Sequence, residues 1–385
     1  MPTTLIADRI RVNRPQPRAG PVILARMAHA DPGRLPQECM TPASPDTVAP
    51  SAQTDLPALA PWEFAGLFLT YWCNARCAFC YVHSGPDRGG DMSIARAVEL
   101  WRSLDRLAGS HGKRMRIHLA GGEPFRDWPR LAGIIHAARQ AGLSPLEKIE
   151  TNAFWATDDD LTRSRLELLD ALGVEKLVIS TDAYHQEFIP FDRVRRCVEI
   201  ARRVLGRPRV RVRWWDAYRR PVDLRGAGLE TRYDAYRRAF ARHRERLAGR
   251  AAQVLPALLP RYPAEHFANQ SCAESVLRSR HVHIDAYGHI FPGVCSGIVL
   301  GRAVGRTVED VWNDVAANWA QNPLVAAVVA GGSFELMRQA QTFGYQALPD
   351  GYADKCHLCT HVRQFLFERG VWPEAIGPAE CYASP

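Results

Sequence analysis

Three cysteines stand close together in the segment CNARCAFC, where Cys73, Cys77 and Cys80 have the spacing C-x3-C-x2-C. Three thiolates on one tight loop can hold three corners of an iron–sulfur cube, which leaves the fourth iron open to a substrate or a cofactor. A zinc ion would need a fourth protein ligand, and His83 is a candidate for that position. The group of thiols therefore predicts a metal centre, with iron–sulfur and zinc as the alternatives.

A second set of cysteines lies in the last third of the chain: Cys272, Cys295, Cys356, Cys359 and Cys381. Cys356 and Cys359 form a C-x2-C pair, which is typical of metal ligands. The alternatives are a zinc ion, with His357 or His361 as an extra ligand, and a second iron–sulfur cluster held by four thiolates. The remaining cysteines, Cys39 and Cys197, fit no pattern.

The composition is that of an ordinary soluble globular protein, with 46% hydrophobic and 23% charged residues in 385 positions. It excludes a fibrous, collagen-like or wholly disordered chain. The first ten residues lack an apolar run, so we expect no secretory signal and a reducing, cytoplasmic setting, where clustered cysteines indicate metal more often than disulfides. The uncharged stretch 315–334 contains Asn, Gln, Pro and Gly, so we expect no membrane span.

The net charge of +8 is concentrated in one segment, residues 211–250, which holds twelve arginines and five acidic residues. One interpretation is a solvated helix face. The other is a docking surface for an acidic peptide, a phosphate or a nucleic acid. No nucleic-acid-binding motif accompanies the segment, so we do not expect nucleic acid as a partner.

The elements that must position the first cysteine loop follow a regular alternation. Short apolar runs predict five strands, at residues 64–71, 114–120, 146–151, 176–181 and 209–215, with helical segments between them. This alternation indicates a parallel sheet with right-handed crossovers, in which ligand chemistry lies at the carboxyl ends of the strands. The cysteine loop, a GGEP turn, Thr151-Asn152 and the segment Ser180-Thr181-Asp182 all fall at such ends.

The chain divides into four predicted regions. Residues 1–61 hold eleven of the 27 prolines and predict an extended arm. Residues 62–225 form the α/β core, and residues 226–270 form a basic helical connector or the last element of that core. Residues 271–385 form a smaller α+β region that begins with a β-hairpin, whose strands are predicted at 281–285 and 289–292.

The part of the chain that carries the first cysteine loop and the strand-end motifs resembles the radical S-adenosylmethionine (radical SAM) superfamily. The family signature is C-x3-C-x-aromatic-C, and Phe79 fills the aromatic position. Gly121-Gly122-Glu123-Pro124 matches the family's GGEP turn after the second strand, and Thr151-Asn152 matches its TN(G), with Ala153 in place of the glycine. Ser180-Thr181-Asp182 resembles the S-x-D at the end of the fourth strand.

The resemblance implies a partial (β/α)6 barrel and a [4Fe–4S] cluster whose open iron is chelated by SAM. It implies reductive cleavage of SAM to a 5′-deoxyadenosyl radical, with an electron donor such as flavodoxin or ferredoxin. It also assigns the cofactor-binding residues, in which Glu123 receives the SAM amino group and Ser180 lies near the ribose or carboxylate. These residues are Gly121, Gly122, Glu123, Pro124, Asn152, Ser180 and Asp182.

The C-terminal region resembles the SPASM and twitch extensions of radical SAM enzymes. The resemblance rests on the hairpin between Cys272 and Cys295 and on a TVEDVW helix start at residues 307–312. It implies one auxiliary [4Fe–4S] cluster held by Cys272, Cys295, Cys356 and Cys359, with Cys381 as a spare that could replace one ligand. The longer C-x2-C-x5-C-x3-C run of a full SPASM domain is absent, which argues against two auxiliary clusters.

Candidate acid–base residues follow the fourth strand. Tyr184 and His185 come directly after Asp182, where the top of a barrel faces its substrate. His185 is the candidate for proton transfer near neutral pH. The alternative is a histidine that only caps a helix or faces solvent.

Three functions are compatible with these patterns. The first is modification of a peptide or protein side chain, as in maturase-type enzymes, with the auxiliary cluster accepting an electron. The second is dehydrogenation or epimerisation of a sugar or another small natural product. The third is a zinc-stabilised scaffold without catalytic activity.

Overall fold

The computed structural model describes residues 57–383. The predicted arm, residues 1–61, lies outside the described residues except for positions 57–61, and Cys39 also lies outside them. Within residues 57–383, no helix has both the length and the apolar composition that a bilayer crossing requires.

The strands of the described residues form one sheet. They are β1 (Phe64–Phe68), β2 (Arg116–Ala120), β3 (Leu146–Thr151), β4 (Lys176–Ser180), β5 (Val210–Arg213), β6 (His281–Ile284), β7 (His289–Pro292) and β8 (Gly301–Arg302). Their order across the sheet is β5-β4-β3-β2-β1-β6-β7-β8.

The first five strands pair in parallel, as the sequence predicts, and the β6–β7 hairpin is antiparallel. The sequence did not predict where the hairpin docks. β6 pairs in parallel with β1, so the C-terminal hairpin supplies a sixth parallel strand. The result is an α/β fold with an open, six-stranded parallel core, which matches a partial barrel, and an antiparallel extension.

Helices connect and cover these strands. They are α1 (Ile94–Ser110), α2 (Trp128–Gln140), α3 (Asp159–Ala171), α4 (Ala183–Gln186), α5 (Phe191–Val204), α6 (Trp215–Arg219), α7 (Leu229–Arg242), α8 (Ala251–Val254), α9 (Ala273–Val276), α10 (Val308–Asn318), α11 (Pro323–Gln341) and α12 (Lys355–Glu368).

Local sequence explains the helix starts. Ser93 and Asp158 cap α1 and α3, because each side chain accepts a hydrogen bond from a backbone N–H of the first helical turn. In α5 the apolar residues recur at helical spacing, and Val194, Val198 and Ala201 are buried against the sheet. These caps and apolar faces fix the crossovers that bring the strand ends to one edge.

The two faces of the sheet differ in chemistry. On β1, Ala65 and Leu67 are buried in the hydrophobic core, whereas Gly66 lies beside the imidazoles of His118 and His283. Side chains alternate along a strand, so the inner face of the sheet carries polar groups. This inner face forms the wall of the candidate site.

Helices α11 and α12 were not predicted from the sequence. Helix α11 is apolar on most of its surface and contains Gly331-Gly332. Both features obscure the helical spacing of its apolar residues. Gly332 has a φ of 71°, and a Cβ there would lie 2.1 Å from the carbonyl oxygen of Gln270. Glycine is therefore required for α11 to pack against the segment that leads to Cys272.

Candidate active site

The cysteines of the C-x3-C-x2-C motif lie on the loop between β1 and α1 and line a cavity of about 290 Å³, here called the first cavity. Arg250 holds this loop in place. Its guanidinium donates hydrogen bonds to the carbonyls of Cys77 (3.2 Å) and Ser84 (2.7 Å), and its backbone N–H donates to the Cys80 carbonyl (2.8 Å). Sequence reasoning did not single out Arg250, because the residue lies far along the chain in a run of arginines.

The thiols suit an iron–sulfur cluster better than a zinc ion. Within residues 57–383, three ligand atoms come within 4.8 Å of one another only at His118, His281 and His283, so the cysteine thiols are spaced more widely. A tetrahedral zinc ion with bonds of about 2.3 Å would need sulfurs about 3.8 Å apart. His83 is buried and does not line the cavity. Thiols that each bind a different iron fit this wider spacing.

Burial raises the pKa of the Cys73 and Cys77 thiols above the usual range. The thiols are therefore protonated at neutral pH until a metal replaces the proton. Cluster assembly at this site should release protons.

The GGEP turn follows β2 and packs directly against the backbone that leads into the cysteine loop. A Cβ at Gly121 would lie 2.5 Å from the Thr70 carbonyl oxygen, and one at Gly122 would lie 2.0 Å from that of Trp72. The N–H groups of Gly122 and Glu123 donate to these same two carbonyls, at 2.7 and 2.9 Å. Glycine is therefore needed at both positions, because any side chain there would collide with the backbone of the neighbouring loop.

Glu123 joins the turn to the end of β3. Its buried carboxylate accepts hydrogen bonds from the Thr151 hydroxyl (2.8 Å), the Asn152 N–H (2.8 Å) and the Phe125 N–H (3.1 Å). Burial raises the pKa of Glu123 to about 7, although the three donors act in the opposite direction. A carboxylate has about four acceptor positions, so one remains for a ligand.

The TN segment touches the cysteine loop. The Asn152 amide donates to the Cys73 sulfur (3.6 Å) and to the Asn74 side-chain oxygen (3.0 Å). Hydrogen bonds to ligand sulfurs help to set the potential of an iron–sulfur cluster. Ala153 has a φ of 64°, the left-handed conformation in which glycine is favoured. This conformation suits the glycine of the TN(G) pattern that the sequence resembles at this point.

The residues after β4 separate into two groups. Ser180 and His185 line the first cavity, whereas Asp182 and Tyr184 are buried beside it. Asp182 caps α4, and its carboxylate accepts hydrogen bonds from the His185 N–H (3.0 Å) and from His185 Nδ1 (2.6 Å). This contact places the proton on Nδ1 and leaves Nε2 as the basic nitrogen of His185.

Tyr184 packs between aromatic rings and does not reach the cavity. Its ring stacks on Phe79 at 5.0 Å and lies 4.8 Å from the ring of Tyr236, to whose carbonyl its hydroxyl donates (3.4 Å). Burial raises the pKa of Tyr184 well above the usual range. Tyr184 thus packs against Phe79 and does not lie where it could contact a substrate in the first cavity.

The inner face of the sheet adds charged side chains that sequence reasoning missed. Residues from β2, β3, β5 and β6 line the first cavity, and two ion pairs lie among the lining residues, Lys148–Glu150 (2.5 Å) and Arg213–Glu245 (2.6 Å). The strand residues that share this wall are His118, Lys148, Glu150, Arg213, His281 and His283. The sequence did contain a signal for this wall, namely charged residues at every second position of the predicted parallel strands. Such strands are normally apolar on both faces.

Four of the C-terminal cysteines line another cavity of about 190 Å³, here called the second cavity: Cys272, Cys295, Cys356 and Cys359. Cys356 and Cys359 lie in the first turns of α12, and Cys272 lies at the start of α9. Neither His357 nor His361 lines this cavity. The His357 Nδ1 accepts from the Ala353 N–H (3.1 Å), and the His361 Nδ1 pairs with the Tyr345 hydroxyl (2.8 Å).

Cys381 and Cys197 are not brought together with these four thiols. The sulfur of Cys381 lies 3.7 Å from the Tyr71 hydroxyl, which donates to Asp285. Cys197 is buried in α5. The structure thus separates Cys381 from the second cavity, although the sequence marked it as a spare ligand.

Arg246 and Val294 line both cavities. The Arg246 guanidinium donates to the Cys295 sulfur (3.3 Å) and to the Ser275 hydroxyl (3.2 Å). The two cysteine sites are therefore neighbours across these side chains. A positive charge lies beside one thiol of the second site.

Comparison with known proteins gives a family for the first region. Residues 67–248 match the family described as "Radical SAM superfamily". This stretch carries the cysteine loop, the glycine turn and the strand-end motifs, and it is this part of the chain that is similar to the radical SAM superfamily. No curated protein matches the chain.

Solved structures of radical SAM enzymes are similar to the chain at low sequence identity. BtrN in complex with AdoMet and 2-DOIA is 16% identical, with a TM-score of 0.41, and the match covers 70% of this chain and 91% of BtrN. Streptococcus suis SuiB bound to S-adenosylmethionine is 12% identical, with a TM-score of 0.35 and 77% of each chain covered. Native anSMEcpe with bound AdoMet is 12% identical, with a TM-score of 0.42 and coverage of 80% and 97%.

Proposed function

We propose that this chain cleaves S-adenosylmethionine with a [4Fe–4S] cluster held by Cys73, Cys77 and Cys80 and then removes a hydrogen atom from a substrate. The observation that carries the proposal is the first cavity, in which the three thiols share one space with the glycine turn, Glu123 and a charged wall. When bound, the cluster supplies the electron that splits SAM into methionine and a 5′-deoxyadenosyl radical.

The residues around the thiols have separate tasks in this proposal. Glu123 has one free acceptor position, which suits the SAM ammonium group in a charge-assisted hydrogen bond. The turn at Gly121 and Gly122 lets backbone approach the cofactor without a side chain in between. Asn152 orients Cys73, and Ser180 contributes a hydroxyl to the part of the cavity where the nucleoside would lie.

We further propose a second [4Fe–4S] cluster on Cys272, Cys295, Cys356 and Cys359. Four thiolates leave no iron open, so this group would transfer electrons rather than bind SAM. Residues 271–385 then form the SPASM/twitch-like auxiliary domain, which residues 226–270 join to the core at residues 62–225. The shared wall at Arg246 supports electron transfer between the cavities, because the second site adjoins the first.

His185 is the proposed base. After hydrogen abstraction, the substrate radical would have to lose one electron and one proton to give a product oxidised by two electrons. A cluster held by the four thiols of the second site would supply the electron acceptor, and His185 Nε2 would accept the proton. Asp182 supports the role of His185, because it accepts the hydrogen bond from Nδ1 and would stabilise the imidazolium.

A peptide or protein side chain is the first candidate substrate. What supports it is a groove of about 820 Å³ beside β8, the edge strand of the sheet, lined in part by Trp319, Trp372 and Arg302. Edge strands bind extended peptides by adding a strand, and aromatic pockets hold alternate side chains. A peptide bound there would be held by backbone contacts away from the reacting side chain.

A small polar natural product, such as a sugar, is the second candidate. The first cavity is small and carries both signs of charge, and such a wall suits a molecule with several hydroxyl or amino groups. A zinc scaffold is a poorer explanation, because the candidate histidine ligands His83, His357 and His361 line neither cavity.

The experiment begins with anaerobic reconstitution and a measurement of iron, SAM cleavage and 5′-deoxyadenosine. The proposal expects about eight irons per chain and 5′-deoxyadenosine when dithionite is added. A colourless protein that contains zinc and makes no 5′-deoxyadenosine would contradict it.

The substrate class is tested with extracts of cells grown in deuterated medium, separated into a peptide fraction and a small-metabolite fraction. The fraction that contains the substrate transfers deuterium into 5′-deoxyadenosine, which mass spectrometry detects. Transfer from the peptide fraction supports the first candidate, and transfer from the metabolite fraction rejects it in favour of the second.

A further inference from the structure

Three imidazoles that belong to neither cysteine set meet on the inner face of the sheet. They belong to His118 on β2 and to His281 and His283 on β6, and one nitrogen from each lies within 4.8 Å of the others. His118 Nε2 and His281 Nε2 are 3.0 Å apart. All three side chains line the first cavity, so the cluster opens towards the space proposed for the substrate.

The sheet register creates this meeting point. Gly66 on β1 pairs with His118 on one side and with His283 on the other. A Cβ at Gly66 would lie 2.4 Å from His118 Nε2 and 2.3 Å from His283 Cδ2. Because residue 66 has no side chain, the rings from the two flanking strands converge above it. His281, two positions before His283, points to the same face.

The outer nitrogen of His283 has the kind of partner that metal-binding histidines normally have, and that of His118 has a carboxylate nearby. His283 Nδ1 lies 2.6 Å from the Gly293 carbonyl oxygen, which fixes the proton on Nδ1 and leaves Nε2 free to bind. His118 Nδ1 is buried without a hydrogen-bond partner and lies 3.9 Å from the Glu150 carboxylate. A carbonyl or carboxylate behind the ring is the usual second shell of a metal-ligating histidine.

The electrostatics keep the imidazoles neutral, which is the form that binds metal. Burial lowers the pKa of His281 to about 4 and lowers those of His118 and His283 well below the usual range. Lys148 is a neighbouring cation that lowers the pKa of all three imidazoles, and its ammonium is paired with Glu150 at 2.5 Å. The Glu150 carboxylate acts in the opposite direction on His281, so it offsets part of the repulsion that a cation would meet there.

Distances favour a small transition-metal ion. Metal–nitrogen bonds of about 2.0–2.1 Å at a tetrahedral angle place two nitrogens about 3.3 Å apart, close to the 3.0 Å between His118 and His281. A simple hydrogen bond between these two rings would leave the lone pair of His283 unused. Phe64 stacks on His118 and His281, with centroids 4.7 and 4.4 Å away, and fixes their planes.

We propose that His118, His281 and His283 bind a divalent transition-metal ion of the zinc class, with a fourth position open to the first cavity. Three protein ligands with one open position form the arrangement of catalytic rather than structural zinc sites. The open position would hold an oxygen or nitrogen of the substrate. Imidazole ligands select zinc, cobalt, nickel or copper over magnesium or calcium.

The test uses Co²⁺ as the probe on the full chain after its clusters have been reconstituted and oxidised. Oxidised [4Fe–4S] clusters are diamagnetic, so an electron paramagnetic resonance signal reports high-spin cobalt alone. We expect one Co²⁺ retained per chain after desalting, with nitrogen couplings from imidazole. His118→Ala and His281→Ala should each weaken cobalt binding by roughly 100-fold or more, since even second-shell changes cost about 10–100-fold.

His136→Ala is the matched control, because His136 is exposed on α2 and does not line the first cavity. It should bind cobalt like the unaltered chain. Glu150→Gln tests the second shell without removing a ligand, and it should weaken binding by about 10–100-fold at unchanged circular dichroism. This variant keeps the test valid if a histidine variant fails to fold.

Three results would overturn the inference: no cobalt retained by the unaltered chain, a cobalt signal without nitrogen couplings, or equal binding by folded histidine variants. Iron content and 5′-deoxyadenosine are measured on the same samples. Loss of cobalt with intact iron bears on the histidine site alone, whereas loss of iron bears on the proposed clusters. The two proposals therefore succeed or fail separately.

Discussion

The two cysteine cavities differ less in their thiols than in what surrounds them. The first cavity has three cysteines and draws the rest of its wall from five strands, with carboxylates, imidazoles, a lysine and an arginine. The second has four cysteines, and apolar residues such as Val276, Ile298 and Val328 fill much of its wall beside Lys355 and two arginines. A site with three thiols and many polar groups leaves a coordination position for a further ligand. A site with four thiols has a complete set of protein ligands and leaves no such position.

The largest expected effect comes from the first cavity. Replacing Cys73, Cys77 and Cys80 together by Ala should abolish 5′-deoxyadenosine formation and lower the iron content from about eight to about four per chain. The reason is that the cluster bound there is the proposed source of the electron. Iron analysis and chromatography of the reaction products measure both effects. If the triple variant kept its full iron content, the cysteine loop would not be the ligand of a cluster.

The next effect distinguishes the two cavities. Cys356→Ala combined with Cys359→Ala should leave 5′-deoxyadenosine formation by dithionite intact but stop formation of an oxidised product. Metal ligation contributes to folding, so circular dichroism must first show a folded variant. Normal product formation by that folded variant would contradict the electron-acceptor role. Loss of 5′-deoxyadenosine as well would indicate a structural role for the second site.

Glu123 should affect cofactor binding rather than cluster assembly. Glu123→Ala should weaken SAM binding by about ten- to a hundredfold, the equivalent of about 1.5–3 kcal/mol for a charged hydrogen bond, with unchanged iron. Equilibrium dialysis with labelled SAM measures the change. Equal affinity in the variant would exclude Glu123 from the SAM site.

The same residue predicts a pH dependence. The pKa of Glu123 is raised to about 7, so the carboxylate that would meet the SAM ammonium is progressively protonated below that pH. SAM affinity should therefore fall as the pH drops below about 7, by up to about tenfold per unit. Glu123→Gln should show weak binding at all pH values. If the SAM affinity of Glu123→Gln changed with pH in the same way as that of the unaltered chain, the titrating group would be a residue other than Glu123.

The smallest expected effect concerns the wall between the cavities. Arg246 donates a hydrogen bond to the Cys295 sulfur, and a positive charge there favours the reduced cluster. Arg246→Gln should lower the reduction potential of the second cluster by tens of millivolts, where about 59 mV corresponds to a tenfold change for one electron. Arg244→Gln is the control, because Arg244 is exposed and does not line either cavity. Equal shifts in both variants would contradict a specific role.

The motifs of the first cavity could be predicted because each is short and lies at a strand end. The cysteine loop, the GGEP turn and Thr151-Asn152 meet at one edge of the sheet, as parallel topology requires. Single residues inside strands have no such signature. His118, Lys148 and Arg213 became recognisable only when the structure placed their strands side by side.

Long-range pairing was the other limit. The β6–β7 hairpin was predicted from its local pattern, but nothing local to its sequence indicates that β6 docks on β1. The roles of Arg246 and Arg250 were hidden for a similar reason, because a run of arginines does not reveal which members contact loops that lie far away in the sequence. Both arginines turned out to contact the cysteine sites directly.

The central claim is that one cluster has an open iron and the other does not. Electron paramagnetic resonance of the reduced protein, recorded with and without SAM, tests this claim most directly. The account predicts that SAM changes the signal of one cluster only, and that the triple variant of Cys73, Cys77 and Cys80 keeps a signal that SAM does not change. A signal that still responds to SAM in the triple variant, or two signals that both respond in the unaltered chain, would contradict it.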